Sequence, residues 1–192
     1  MEKQNKATIA ATAIFFAVQC ATLAGFIKQH EKDRIFGIIT ITVLFLLFTF
    51  LKVKYKIDMK IYITWFVIIT IIGHNLVGEY LKLYLSSFIY DKILHFWGTY
   101  AFALFSYAII SHLLPAPVHS KGREFIFIVL LGASLGMALE IIEFFGDIIF
   151  KPKIPNQNGL VDTDVDMIAD IVGALAAGLH AYVKKFSMFC HS

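Results

Sequence analysis

Residues 124–150 read EFIFIVLLGASLGMALEIIEFFGDIIF. At about 1.5 Å of rise per helical residue, this run is long enough to cross roughly 30 Å of hydrocarbon. It must be a helix, because an open strand in lipid cannot satisfy its own backbone. Yet Glu140, Glu143 and Asp147 stand in its second half. At about 100° per residue, Gly132, Gly136, Glu140, Glu143 and Asp147 share an arc of about 80°, so small residues occupy one end of a stripe and carboxylates the other.

Outward from this run the same reading repeats. Five further apolar runs cover approximately 7–27, 35–51, 61–78, 93–115 and 166–183. The first, Ala7 to Ile27, exceeds a signal-peptide core of roughly 7 to 15 residues and lacks a clear small-x-small cleavage site, so it is expected to be a retained span. The run Ile35 to Leu51 is rich in Ile, Thr and Phe, and lipid makes it a helix as well. Connections are short and no repeat is evident. The expectation is an all-α, polytopic membrane helix bundle of about six transmembrane helices, forming a single transmembrane domain over 1–192.

Composition agrees. Of 192 residues 58% are hydrophobic and 16% charged, and the mean hydropathy is +0.73; ordinary soluble domains have roughly 45 to 50% apolar and about 25% charged residues. The excess excludes a disordered chain and one soluble core. Two cysteines exclude a disulfide scaffold. Cys20 would lie in the first span and Cys190 in the tail, where neither reaches the other. With 17 basic and 14 acidic residues, no nucleic-acid binder is expected.

Six spans put Lys3, Lys6, Lys52, Lys54, Lys56, Lys60, Lys121, Arg123, Lys184 and Lys185 on the side of both termini. Lys28, Lys32, Arg34, Lys82, Lys92, Lys151 and Lys153 lie opposite. Ten against seven favours cytoplasmic termini in a multi-pass cell-membrane protein. Lys52, Lys54, Lys56 and Lys60 are read as orientation determinants beside anionic lipid. Trp65, Trp97, Tyr80, Tyr84 and Tyr90 are read as interface anchors. Acids gather at the outer ends, so any chemistry faces outward.

The sixth run mirrors the fifth. If its helix extends back to Asp162, then Asp162, Asp166, Asp170, Gly173 and Ala177 share a similarly narrow arc. The fourth begins with Asp91 and His95, with Gly98 on the same face. Glu140 and Glu143 lie roughly 24 to 28 Å along their helix from Glu124, and Asp170 roughly 21 Å up from Lys184, so the acids share a depth. Ionisable groups there normally face a bundle interior or wet cavity and mark function. So many acids beside one histidine require either protonation or a cation among them.

The expected site is therefore a metal or acid/base centre. Glu140, Glu143, Asp162, Asp166 and Asp170 are candidate metal ligands; His95, Asp91 and Glu143 are candidate catalytic groups. Oxygen ligands suit Mg²⁺, Ca²⁺ or Mn²⁺, and an imidazole admits Zn²⁺ or Fe²⁺. The bland alternative is that protonated acids and His95 merely tie helices together, at about 0.6 kcal/mol per interaction. His74 and Glu79, near the outer end of the third run, are weaker members of the same set. The loop KPKIPNQNGLV, Lys151 to Val161, should turn at its prolines and Asn158-Gly159. Lys151 and Lys153 there are either solvated charges or phosphate contacts.

The pieces Asp91-Lys92-Ile93-Leu94-His95-Phe96, Glu140-Ile141-Ile142-Glu143 and Asp162-Thr163-Asp164-Val165-Asp166-Met167, followed by Gly173-Ala174 and Gly178, resemble VanZ-like and YjdF-like integral membrane proteins over about the second half of the chain. The YjdF-like sequences are nearer, through a D-T-x-x-D-M run matching Asp162 through Met167. VanZ-like proteins are associated with low-level glycopeptide resistance, so the resemblance implies work at the cell envelope.

Two functions follow as expectations. One is a metal-dependent hydrolase or transferase acting on an envelope lipid or lipid-linked phosphate, with a divalent metal (Mg, Mn, Ca or Zn) activating water and His95 shuttling a proton. Only Arg34 and Arg123 occur in the chain, so an arginine phosphate clamp is not built in. The other is a non-enzymatic binder or small transporter of a cationic ligand or metal ion. A third reading makes the chain a structural partner through glycine-lined helices, provided Gly132 and Gly136 are exposed.

Overall fold

Each apolar run lies on a helix, and most of these helices begin ahead of the run, because a helix once nucleated gains a backbone hydrogen bond with every added residue. The computed structural model describes residues 2–114, 120–152 and 155–183. The helices are α1 (Glu2–Gln29), α2 (Lys32–Lys54), α3 (Ile61–Ile72), α4 (Leu83–Ser86), α5 (Phe88–Leu113), α6 (Lys121–Phe150) and α7 (Leu160–Val183), and a π-helical stretch, Gly73–Tyr80, continues α3. Among the described residues no strand occurs. Six helical segments among the described residues are long and apolar enough to cross a membrane, the third being Ile61–Tyr80. Two extensions matter for the site: α5 begins ahead of Asp91 and α7 ahead of Asp162, so both acids stand on helices.

The described residues divide into two compact units. The first comprises residues 2–88 with Ala108–Leu113. Its buried stripe on α1 carries Thr8, Ala11, Thr12, Phe15, Gln19, Thr22 and Phe26, spaced three and four apart as a packed helix face requires. Thr12 and Thr49 share a hydrogen bond of 3.0 Å. Lys52 is only 1% exposed and donates to the hydroxyls of Thr8 and Thr64, each at 3.0 Å. Lys52 therefore does not lie beside anionic lipid as expected, whereas Lys54 and Lys56 are exposed. Tyr80 packs edge-on against Phe26, over Gly25, where a methyl group would strike its ring. Cys20 is free and exposed. Lys153, Lys184, Lys185 and Cys190 lie outside the described residues.

The second unit comprises, of the described residues, Ile89–Tyr107, Leu114, 120–152 and 155–183. Here α6 and α7 run antiparallel and close. Gly132 faces Ala174, Gly136 faces Asp170, and Gly178 faces Phe125 and Val129. On α5, the backbone of Phe96 lies against Gly173 so tightly that a methyl there would collide with the Phe96 carbonyl oxygen. Small residues thus let helices approach closely. Gly132 and Gly136 are buried, which leaves the glycine stripe facing its own unit rather than a partner. Tyr100 hydrogen-bonds and stacks on His180 toward the other end of α7.

Candidate functional site

Helix periodicity delivers the acids. On α6 the buried positions are Ile128, Gly132, Gly136 and Glu140; on α7 they include Asp162, Asp166, Asp170, Gly173 and Ala177. Because Gly136 has no side chain, Asp170 can lie against the α6 backbone: a methyl at 136 would stand 2.5 Å from its Oδ2. Across from both, α5 supplies Asp91, Lys92, His95 and Thr99. Lys92, His95 and Thr99 fall within about 60° of one another on the helical wheel.

Two groupings result. In the first, the Lys92 ammonium donates to Asp91 Oδ2 at 2.9 Å and Asp166 Oδ2 at 2.7 Å, and to Asp162 Oδ1. In the second, His95 Nδ1 faces both oxygens of Asp170, at 3.3 and 3.4 Å, and stands 3.8 Å from Glu140 Oε1. Thr99 donates to Asp170 Oδ1 at 2.5 Å. His95 Nε2 is 3.8 Å from Asp91 Oδ1 and from Asp166 Oδ1, an ion-pair separation rather than a hydrogen bond. One imidazole therefore joins both groupings. Glu140 and Asp170 are 5% and 2% exposed, and Glu140 Oε1 and Asp166 Oδ1 are buried without a hydrogen-bond partner.

The loop before α7 closes over these acids with three consecutive amide side chains. Asn156 donates to Asp147 from its backbone at 2.9 Å and its side chain at 2.7 Å, and the Gln157 backbone donates to the same carboxylate. Gln157 Nε2 donates to Glu140 Oε2 at 2.8 Å and to the Glu140 carbonyl at 3.0 Å. Asn158 donates to Asp162 Oδ2 from its backbone at 3.1 Å and its side chain at 3.2 Å. The turn into α7 is made at Gly159, whose φ of 113° favours glycine. Lys151 ends α6 in a left-handed conformation, exposed.

Of the acids singled out from sequence, Asp91, Glu140, Asp162, Asp166 and Asp170 thus converge with His95. Ligand atoms of Asp91, His95 and Asp166 lie mutually within 4.8 Å, as do those of His95, Glu140 and Asp170. Glu143 is half-buried and within electrostatic reach of His95 and Glu140, but among the described residues it joins neither grouping. Asp147 is engaged by the loop, and Asp164 is exposed. In the other unit, His74 Nδ1 hydrogen-bonds the Tyr84 hydroxyl at 2.8 Å, and Glu79 pairs with Arg34 at 2.8 Å. Sequence reading missed Lys92, Thr99 and the three amides.

Comparison with known proteins agrees with the membrane assignment. The family described as "Predicted membrane protein (DUF2238)" matches residues 10–185. An "Uncharacterized protein" of Thermotoga maritima is 34% identical over 116 residues, covering 60% of this chain and 59% of that protein, less than two thirds of either. No solved structure matches. Matched over nearly all its length and built on six apolar helices, the chain belongs to that family of multi-pass membrane proteins.

Proposed function

We propose that the chain is a cell-membrane protein that binds a divalent cation through His95, Glu140 and Asp170. The observation that carries this reading is Glu140 Oε1, a buried carboxylate oxygen without a hydrogen-bond partner, facing His95 Nδ1 across 3.8 Å. An unsatisfied acceptor in hydrocarbon costs several kcal/mol, and a cation between these atoms would satisfy it. Bound ions sit about 2.0 to 2.6 Å from oxygen ligands, so ligand atoms 3.3 to 3.8 Å apart need little adjustment. With a metal on Nδ1 the imidazole proton belongs on Nε2, facing Asp91 and Asp166, and such carboxylates orient a ligating histidine.

Charge favours a cation over an anionic ligand. Asp91, Glu140, Glu143, Asp162, Asp166 and Asp170 bring six negative charges when ionised, against Lys92 and at most a protonated His95. A divalent ion displacing the histidine proton leaves 6 − 1 − 2, or three, negative charges. A phosphate would still meet a negative field. Mg²⁺, Mn²⁺ and Ca²⁺ suit the oxygens, and the imidazole extends the range to Zn²⁺. The excess of lysine and arginine on the side of the termini supports cytoplasmic termini and an outward-facing site, and the resemblance to VanZ-like and YjdF-like proteins supports a role at the envelope.

A second reading makes the bound ion catalytic, in a hydrolase or transferase acting on an envelope lipid. It is favoured by His95 Nε2, which stands 3.8 Å from carboxylate oxygens of Asp91 and Asp166 and so can exchange a proton with them while Nδ1 holds the ion.

The test is elemental analysis of the full chain purified in detergent. Enrichment of one metal, lost in Glu140→Gln and Asp170→Asn, is expected. No enriched metal, with thermal stability indifferent to chelator, would overturn the reading. Turnover of extracted envelope lipids separates the enzyme from the binder.

A further inference from the structure

Lys92 carries a consequence beyond cation binding. Its ammonium has three N–H donors, and three carboxylates receive them: Asp91 Oδ2, Asp162 Oδ1 and Asp166 Oδ2. These acids come from two helices, α5 and α7, and Asp162 is held in place independently by Asn158. Oxygen atoms 2.7 to 2.9 Å from a nitrogen need draw in by less than about 1 Å to reach the distances of a divalent ion, about 2.0 to 2.6 Å. The neighbouring Asp166 Oδ1 is buried and without a hydrogen-bond partner, and so is available as a further ligand. The ammonium therefore stands where a second ion would stand, beside the position framed by His95, Glu140 and Asp170.

We propose that Lys92 is a tethered counter-cation occupying the second of two adjacent cation positions, so that the chain takes one divalent ion and takes two when Lys92 is made neutral. The inference rests on the cation-binding reading only for the position at His95, Glu140 and Asp170. A lysine in this role fixes the ion count and cannot be removed by a chelator.

Equilibrium dialysis of the full chain in detergent against Mn²⁺ tests it, comparing the parent with Lys92→Met, Lys92→Gln and Lys92→Arg. Expected are one ion per chain in the parent and in Lys92→Arg, and two in Lys92→Met. Lys92→Gln keeps donors to the aspartates and serves as a neutral variant should the methionine protein accumulate poorly. Adding Glu140→Gln to either neutral variant should return the count to one. One ion in the parent and still one in both neutral variants overturns the tethered-cation inference and leaves the binding reading standing. None in the parent but one in a neutral variant does the reverse. Two in the parent overturns the inference, and none in any protein overturns both.

Discussion

Two lysines engage the interior in different ways, Lys52 buried and Lys92 half-buried. In the first unit, Lys52 donates to the hydroxyls of Thr8 and Thr64; in the second, Lys92 donates to three carboxylates. Hydroxyls are neutral acceptors that adapt to either partner, so through these two bonds Lys52 joins α1, α2 and α3 without drawing on a carboxylate. Carboxylates in a membrane interior carry a large desolvation cost and need a compensating charge. The first arrangement is cohesion; the second is a charge balance that only holds when every member is present.

That contrast is broken most directly by removing each ammonium. Lys92→Met should lose about 3 to 5 kcal/mol, the usual cost of leaving buried charge uncompensated, measured by reversible unfolding in detergent with chelator present. Mn²⁺ should restore part of it. Lys52→Met should lose less, about 1 to 2 kcal/mol, with no response to Mn²⁺. Equal losses would erase the distinction between the two lysines.

Glycine substitutions sharpen it next. Gly136→Ala drives a methyl toward Asp170 and Gly132→Ala drives one toward Ala174, and overfilling typically costs about 1 to 3 kcal/mol in each case. Only Gly136→Ala should also abolish Mn²⁺ uptake. Smaller still is Gln157→Ala, which frees Glu140 Oε2; loss of a residue that orients a ligand weakens metal binding by about 10- to 100-fold, read as a shifted Mn²⁺ dissociation constant with one ion retained. The least effect belongs to the first unit. Thr12→Val removes one interhelical hydrogen bond, about 0.6 kcal/mol in a membrane, and should leave ion uptake untouched.

Most of the helical framework was legible because hydrocarbon permits few backbone solutions. The stripes on α6 and α7 were legible too, since Gly132 to Glu140 and Asp162 to Gly173 repeat at helical spacing and are buried together. Lys92 was not. Beside Asp91 it looks like one of several charges at a span end, and its value for orientation hides its place inside the unit. The spacing of Lys92, His95 and Thr99, three and four apart, was the available signal. The amides of Asn156, Gln157 and Asn158 were obscured differently: a loop with prolines and Asn-Gly reads as a turn, and nothing local says that each side chain reaches a separate acid. Lys52 misled for the opposite reason, because its neighbours Lys54 and Lys56 are exposed while threonines on α1 and α3, distant in sequence, receive its ammonium.

The amide loop has an electrical consequence. Arginines or lysines in place of Asn156, Gln157 and Asn158 would fix the same carboxylates but cancel their charge. Amides aim the oxygens and leave the formal charge whole. The lid over the acids is thus an insulator rather than a ground connection, and the potential beneath it stays available to whatever positive species arrives.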